Sequence, residues 1–402
     1  MVKVLRRDLK RLTEKHLEYF CNNLGDRYVG SESNQQAASY IKENLKDVEI
    51  EEQTFDCFDW YPNDLIFKVD DTEYEAQISP YSPVVELKAE LVTASNIEQL
   101  EKLEGKDKVV LLSGELVKEQ LVPKNFPFYQ VEEHQTIIKL LEEKGFKAVI
   151  TATGKDQSTA GGLYPFPLIE DGDFLIPSIY IKDMTGEEIK KQVGKDVYLK
   201  IDATKVDAKG KNVIAKVGKK NKDKIVLFAH FDSKVDSPGA IDNATGVTTL
   251  LLLIELLKDK NLDKQVEVAL LNGEDYYSNP GQRVYFIDNK SRLENIYLGI
   301  NIDGMGYKKG NTAFSVYTTD KNINNLSDKI FKNKYSMMKG EPWYQGEHAI
   351  LVQRNIPALA FTSNLLEEIL DKVHTEEDNL DIIDKRKVLD TAFALSEFII
   401  EV

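Results

Sequence analysis

Cysteine and histidine are scarce in this 402-residue chain, which contains only two cysteines and five histidines. Two cysteines cannot build a disulfide framework, and Cys21 and Cys57 do not form a metal-binding CxxC pair. We expect both to be small core residues. The sparing use of cysteine favours a reduced, cytoplasmic setting, although a secreted protein whose leader had been removed would look the same.

Long apolar segments and an excess of positive charge are also missing. No run of about 18 apolar residues occurs, the length that a membrane-spanning helix needs, and the first twenty residues lack the apolar core of a secretory signal. Lysine and arginine total 52 against 67 aspartates and glutamates, a net charge of −15. An acidic surface repels phosphate backbones and anionic lipid, which argues against nucleic acid and membranes as partners.

The composition is otherwise that of a globular protein, with 42% hydrophobic residues, and the length predicts two domains. Beyond residue 203 strands alternate with helices, which predicts an α/β fold with a mixed, mostly parallel sheet sandwiched by helices. We predict one discontinuous domain from residues 1–72 and 203–402. Residues 73–202 are predicted to form a smaller α+β insert.

The segment boundaries follow from apolar runs and turn residues. The insert is predicted to contain a loop at 160–162, and its histidine, His134, is expected on a helix surface rather than at a metal. A charged turn is expected at 218–224, and the last helix at 387–400. The predicted strands of the C-terminal half are 212–217, 225–229, 266–271, 296–302, 313–317 and 358–361.

Residues 225–246, IVLFAHFDSKVDSPGAIDNATG, combine a buried strand with polar groups. The apolar run 225–229 is typical of a strand buried on both faces. His230 and Asp232 follow where it ends, and Asp242 comes after a Ser-Pro-Gly turn, beside Asn243, which supplies helix-capping chemistry. One histidine and two aspartates therefore lie at the carboxyl end of a strand, where ligands bind in open α/β sheets.

The later strands are followed by similar groups. Glu274 and Asp275 come after the strand 266–271, Asp303 ends the strand 296–302, and His374 lies in the last loop. Carboxylates with two imidazoles suit Zn²⁺ first, with Co²⁺ or Mn²⁺ as alternatives. A carboxylate shared by two ions would hold them about 3.5–4 Å apart. An acid beside a ligand, as Glu274 is, can act as a general base.

Taken together, these motifs resemble the zinc-dependent M28 peptidases, and the resemblance covers nearly the whole chain. Arg27-x-x-Gly30-Ser31 resembles that family's N-terminal segment, and the insert resembles a protease-associated (PA) domain. The motifs that carry the resemblance are His230-Phe-Asp232, Gly239-Ala-Ile-Asp242-Asn243-Ala-Thr-Gly246, Gly273-Glu274-Asp275, Asn301-Ile-Asp303 and His374-Thr-x-x-Asp378.

The resemblance implies a set of metal ligands. Asp242 would bridge two zinc ions, His230 and Asp303 would complete one of them, and Asp275 and His374 the other. Asp275 stands where the family usually has glutamate. The shorter side chain retracts the carboxylate by about 1.5 Å, which would alter metal distance or preference.

The resemblance also implies roles around the metals. Glu274 would be the general base that activates the water, and Asp232 would orient the neighbouring metal-bound imidazole. Tyr344 or His348 would steady the tetrahedral oxyanion. Glu347-His348 replaces the Asp-His pair common in the family.

These observations predict a zinc metallopeptidase, an aminopeptidase that hydrolyses the N-terminal peptide bond of peptides through a water activated by two zinc ions. Two alternatives stay open. A glutaminyl-cyclase-like enzyme would bind a single zinc ion, and a non-catalytic binding module could keep the same fold. The sequence does not predict side-chain preference, oligomeric state or the task of the insert.

Overall fold

A computed structural model of the chain describes residues 2–153, 166–219, 223–288 and 290–402. The predicted loop at 160–162, and residues 220–222 of the predicted charged turn, lie outside these ranges.

The helices begin and end as follows: α1 Val2–Glu18, α2 Glu32–Asn44, α3 Ile97–Lys102, α4 Glu132–Lys144, α5 Asp183–Ile189, α6 Thr245–Leu257, α7 Pro280–Arg283, α8 Lys321–Ser327, α9 His348–Val352, α10 Leu366–Leu370 and α11 Lys385–Glu401. The strands are β1 Glu49–Val69, β2 Thr72–Glu73, β3 Gln77–Ile78, β4 Val85–Ala94, β5 Lys108–Leu112, β6 Ala148–Ala152, β7 Ser178–Ile181, β8 Asp196–Val217, β9 Lys224–His230, β10 Gln265–Leu271, β11 Ile296–Ile302, β12 Thr312–Tyr317, β13 Met338–Lys339 and β14 Ala358–Ser363.

The chain folds into two compact units. Unit 1 comprises Met1–Cys57, Asp207–Asp275 and Asn279–Val402, and unit 2 comprises Phe58–Val206 and Tyr276–Ser278. The sequence predicts boundaries at 72/73 and 202/203, whereas the units divide at 57/58 and 206/207. The difference arises because β1 and β8 are single strands of 21 and 22 residues that run through the boundaries.

Unit 1 is built on a mixed sheet with strand order β13-β12-β14-β11-β9-β10-β8. The four central strands β10, β9, β11 and β14 all run parallel to one another. At the two sides of this group, β8 pairs antiparallel with β10, and β12 pairs antiparallel with β14. Every residue of β9 is buried, as the apolar run at 225–229 predicts. This arrangement confirms the predicted α/β class with a mostly parallel sheet.

Helices cover the sheet of unit 1. Helices α1, α6 and α11 pack against one another, α6 also contacts β9 and β10, and α9 contacts β11 and β14. Residues 240–257, which include α6, are long and apolar enough to cross a membrane, but 89% of that stretch is buried inside the fold. The apolar composition of α6 is therefore that of a core helix.

Unit 2 has its own sheet and core. Its strand order is β8-β4-β5-β6-β7-β3, with β4, β5, β6 and β7 parallel and the outer pairings antiparallel. Helices α3 and α4 supply Leu100, Ile137 and Leu141 to the apolar core beside the sheet. The α+β class predicted for the insert and its identity as a PA-like domain stay predictions.

His134 is placed differently from the expectation for a helix-surface residue. Its side chain is buried, its Nδ1 accepts a hydrogen bond from the Val122 amide at 3.0 Å, and its Nε2 lies 3.2 Å from Glu119. The helix pattern does not reveal this, because the partners come from the preceding loop. Both cysteines are buried, which confirms the prediction that they are core residues.

Candidate metal centre

Three neighbouring parallel strands of unit 1 end at one edge of the sheet with polar groups. Strand β9 ends at His230, which pairs with Leu271 at the end of β10. Residues 272–275 follow β10, and Asp303 follows β11. Because these strands are parallel, their carboxyl ends lie side by side, and the side chains that follow them meet at this edge.

One imidazole lies between two of the predicted carboxylates. His230 Nε2 is 2.9 Å from Asp242 Oδ1 and 3.6 Å from Asp303 Oδ1. The His230 side chain is 1% exposed, so solvent does not reach its imidazole. These three residues are the ones assigned by resemblance to one ion.

The second imidazole comes from the loop before α11. His374 Nε2 is 3.1 Å from Asp242 Oδ2 and 3.0 Å from Asp275 Oδ1. Each oxygen of Asp242 therefore faces a different imidazole, and each imidazole has a further carboxylate beside it. Ligand atoms of His230, Asp242 and Asp275 lie within 4.8 Å of one another.

A buried carboxylate, Asp378, holds the turn that presents Asp242. It accepts hydrogen bonds from the backbone amides of Ile241 at 2.7 Å and of Asp242 at 3.1 Å. The Asp242-Asn243 peptide bond is cis. Sequence reasoning quoted Asp378 within a motif but gave it no role, and its spacing of four residues from His374 was the available signal.

Asn243 fixes the other side of this turn. Its Oδ1 accepts a hydrogen bond from the Gly246 amide at 3.0 Å, and its Nδ2 donates to the Ile302 carbonyl at 2.7 Å. The first contact is the helix-capping interaction that the sequence predicts. The second ties the start of α6 to the last residue of β11, directly before Asp303.

Asp232 lies between two strand ends. Its Oδ1 accepts from the amides of Gly273 at 2.7 Å and Glu274 at 3.2 Å, and its Oδ2 accepts from the Asp275 amide at 3.1 Å. Its Oδ1 is 3.6 Å from His230 Nδ1, an ion-pair distance rather than a hydrogen bond. The carboxylate therefore fastens the segment that carries Glu274 and Asp275, besides facing the imidazole.

The electrostatics of the centre favour positive charge. Burial opposes protonation of His374, but Asp275 and Asp242 outweigh it and raise the pKa of the imidazole to about 10. Burial likewise opposes charge on His230, yet the neighbouring aspartates hold its pKa well above the usual value. Burial would raise the pKa of Asp242, but His230 and His374 outweigh it and lower that pKa.

Two buried glutamates adjoin the ligands. Burial raises the pKa of Glu274 well above its usual range; His230 opposes the shift, and Asp275 and Glu347 reinforce it. Burial, opposed by His230, raises the pKa of Glu347 to about 7. Within the described ranges neither carboxylate oxygen of Glu347 has a hydrogen-bond partner. Sequence reasoning noted Glu347 only as a departure from the family pattern.

The two residues predicted for the oxyanion are placed unequally. The Tyr344 side chain is exposed, and its ring makes an edge contact with Tyr317 at 5.6 Å between centroids. His348 is buried, with Nε2 2.8 Å from the Trp343 carbonyl and Nδ1 3.3 Å from Asn301 Nδ2. Both nitrogens of His348 therefore already have partners in the protein.

These residues fit zinc by their chemistry and by their unsatisfied atoms. Imidazole nitrogens and carboxylate oxygens are the donors that zinc takes in proteins. Asp275 Oδ2 and His230 Nδ1 are buried without a hydrogen-bond partner in the part of the chain that is described. Buried polar atoms are normally satisfied in proteins, so a cluster of such atoms among metal-ligating side chains fits a site for a bound cation.

Residues 212–399 match the model of "Peptidase family M28". Aminopeptidase YwaD of Bacillus subtilis is 26% identical over 267 residues, which cover 62% of this chain and 56% of YwaD. The chain thus spans a little over half the length of this curated relative.

Solved structures show the same fold over nearly the full length. An aminopeptidase from Aneurinibacillus sp. strain AM-1 aligns with a TM-score of 0.76 at 20% identity, covering 97% of this chain and 92% of that one. BSAP, a zinc aminopeptidase from Bacillus subtilis, aligns with a TM-score of 0.73 at 20% identity, covering 96% of this chain and 95% of that one.

Proposed function

We propose that this chain, whose residues 212–399 match the model of peptidase family M28, is a zinc metallopeptidase that removes N-terminal residues from peptides. The observation that carries the proposal is the placement of Asp242, whose two oxygens face His230 at 2.9 Å and His374 at 3.1 Å. Two imidazoles on opposite oxygens of one carboxylate suit a pair of ions rather than one. The relatives named above are aminopeptidases, which supports the reaction class.

Five side chains would hold the zinc ions. Asp242 would bridge them, His230 and Asp303 would complete one ion, and Asp275 and His374 the other. Bound zinc supplies Lewis acidity, which polarises the scissile carbonyl and brings the pKa of a water toward neutrality. The same donors would accept Co²⁺ or Mn²⁺.

Glu274 would move the proton. It follows the Asn272-Gly273 turn at the end of β10, beside the ligand Asp275, and its amide is held by Asp232. Burial raises its pKa, so it holds a proton more strongly than an exposed glutamate. That suits a general base which takes a proton from the attacking water and passes it to the leaving amine nitrogen.

For the oxyanion, Tyr344 is the better of the two candidates. Its side chain is exposed, whereas the ring nitrogens of His348 bond to the Trp343 carbonyl and to Asn301. We assign His348 the task of holding the loop that carries Tyr344. The substrate would be a short peptide with a free α-amino group, which the acidic side chains around the metals would attract.

Metal content and hydrolysis together test the proposal. The purified protein would be stripped with a chelator, reloaded with zinc and assayed on aminoacyl and dipeptide substrates and on their N-acetylated forms. We expect two zinc ions per chain and hydrolysis of the unblocked substrates only. A stoichiometry near one with cyclisation of N-terminal glutamine would favour the cyclase, and a loaded protein without turnover would indicate a binding module.

Replacing the base tests the mechanism. Glu274→Gln keeps the size and a carbonyl oxygen but cannot take a proton, so kcat should fall on the order of 10²–10⁴-fold with zinc content unchanged. Glu14→Gln, an exposed change on α1, is the matched control and should behave as the unmodified protein. Turnover retained in Glu274→Gln would remove Glu274 from the mechanism.

A further inference from the structure

A buried arginine lies outside the stretch that matches the family model. Arg27 is 0% exposed, and its guanidinium donates hydrogen bonds to backbone carbonyls. The acceptors are Phe231 O at 3.0 Å from Nε, Phe20 O at 3.0 Å, Gly25 O at 2.9 Å and Pro238 O at 2.6 Å from Nη1, and Gly239 O at 3.1 Å from Nη2. Nη1 has two hydrogens, so its three acceptors share them. Donors on three nitrogens of one plane are needed for such a set, and only arginine offers them.

Three of these carbonyls belong to the loop between His230 and Asp242. Arg27 binds this loop near its start, at the Phe231 carbonyl, and near its end, at the carbonyls of Pro238 and Gly239. The Arg27 amide also donates to Ser233 Oγ at 2.9 Å, and that hydroxyl donates to the Ser237 carbonyl at 3.0 Å. Because one rigid guanidinium binds the loop near both of its ends, it fixes the distance between those ends.

Gly239 shows how close this approach is. Its φ is +55°, and a Cβ at this position would lie 2.9 Å from Arg27 Nη2 and 2.5 Å from Ser233 Cβ. A residue with a side chain would push the loop off the guanidinium. Asp242, three residues later, would move with it.

A second link reaches the loop that carries Glu274 and Asp275. The Arg27 carbonyl accepts from Asn34 Nδ2 at 2.9 Å. The amide groups of Asn34 and Asn272 face each other and exchange hydrogen bonds of 2.8 and 2.9 Å. Asn272 is the first residue after β10, directly before Gly273.

The charge of Arg27 also bears on the centre. Burial lowers its pKa, whereas Cys21, Asp378, Asp232 and Asp242 favour its charged form. Arginine nevertheless stays charged in proteins. The fixed positive charge of Arg27 therefore interacts favourably with the carboxylates of Asp232, Asp242 and Asp378. It offsets part of the repulsion between these acids.

We propose that Arg27 and Asn34 are positioning residues of the metal centre, which set the separation of the two strand-end loops that bear its ligands. The N-terminal segment would then belong to the site functionally, although it supplies no ligand. This inference rests on the proposed zinc centre. Outer contacts of this kind typically affect metal affinity 10–100-fold when they are removed.

The test compares metal binding in Arg27→Lys and Asn34→Ala with a destabilised control, Leu395→Ala, whose side chain is buried in α11. Each apo protein would be titrated with Zn²⁺ against a chromophoric chelator, well below its unfolding temperature. The visible spectrum of each Co²⁺-loaded protein would report ligand geometry. We expect zinc affinity 10–100-fold lower and an altered cobalt spectrum in both positioning variants, and neither change in Leu395→Ala.

The outcomes separate the two proposals. If both positioning variants lose thermal stability as Leu395→Ala does but keep the zinc affinity and cobalt spectrum of the unmodified protein, the positioning role is wrong. If the unmodified protein itself binds no zinc, the proposed function fails and this inference fails with it. Should Arg27→Lys not fold, Asn34→Ala, which leaves the guanidinium in place, decides the question.

Discussion

At the scale of single residues, Asp232 shows that one carboxylate can serve two strand ends. It faces the His230 ring at 3.6 Å and accepts hydrogen bonds from three successive amides, those of Gly273, Glu274 and Asp275. The sequence predicts only the first contact, since a carboxylate two residues from a metal-binding imidazole is a natural partner for it. The amide contacts depend on the neighbouring loop.

Asp232→Asn should weaken zinc binding, mainly because the Asp275 amide loses its hydrogen-bond acceptor. The new amide can still accept from Gly273 and Glu274, but its NH₂ would face the Asp275 amide donor. We expect zinc affinity to fall 10–100-fold and the free energy of unfolding to fall by about 1–3 kcal/mol. Isothermal titration with zinc and urea unfolding would measure these changes. Asp236→Asn, an exposed change in the same loop, is the control, and equal behaviour of the two variants would contradict the prediction.

At the scale of elements, α1 is attached to the fold by a buried imidazole as well as by apolar residues. His16 is 3% exposed, and its Nδ1 lies 2.9 Å from the Tyr40 hydroxyl of α2. Burial, with a smaller effect of Lys15, lowers the pKa of His16 to about 4. The neutral ring is thus the form that the folded protein accepts.

Docking of α1 should therefore weaken in mild acid. The folded pKa of His16, about 4, lies below the unfolded value of about 6.5, so the unfolded chain binds more protons between these values. The stability is complete above pH 6.5 and is lost as the pH falls toward 4, by roughly 2 kcal/mol at pH 5.

The comparison between His16→Gln and the unmodified protein isolates this effect. Glutamine can accept the Tyr40 hydrogen bond but does not titrate in this range. Between pH 7 and pH 5 the urea midpoint of the variant should fall less, while His348 and the acidic groups contribute equally to both proteins. Parallel curves for the two proteins would show that His16 does not titrate with unfolding.

At the scale of the whole molecule, all five proposed ligands lie in unit 1, and both positioning residues lie there too. They come from the ends of β9, β10 and β11, from the turn before α6 and from the loop before α11. No single local segment could bind the ions. Metal binding and folding of unit 1 should therefore be linked.

Zinc removal should destabilise unit 1 in particular. Zinc at 100 times its Kd would add about 2.7 kcal/mol to the stability of the state that binds it. Hydrogen exchange with and without a chelator would measure this, and amides of β9, β10 and β11 should lose protection in the stripped protein. Amides of β5 and β6 in unit 2 are the internal comparison, and a uniform change across both units would contradict the expectation.

The amino-acid sequence by itself determines the positions of the main elements and the fold class. The strand predicted at 296–302 is observed as Ile296–Ile302, and that predicted at 266–271 as Gln265–Leu271, because apolar runs between turn residues report burial locally. Once the strands are located in the sequence, the polar residues that directly follow them can be identified. These residues are the candidate ligands.

Only the tertiary structure decides which of these polar groups meet, and what holds them. The pairing of His374 with Asp242, the three amides on Asp232 and the three carbonyls of residues 231–239 on Arg27 join segments that are far apart in the chain. Apolar periodicity carries no information about such contacts, since burial of an apolar face is satisfied by many partners. A hydrogen bond or a metal site instead requires particular atoms at fixed distances, which depend on the path of the whole chain.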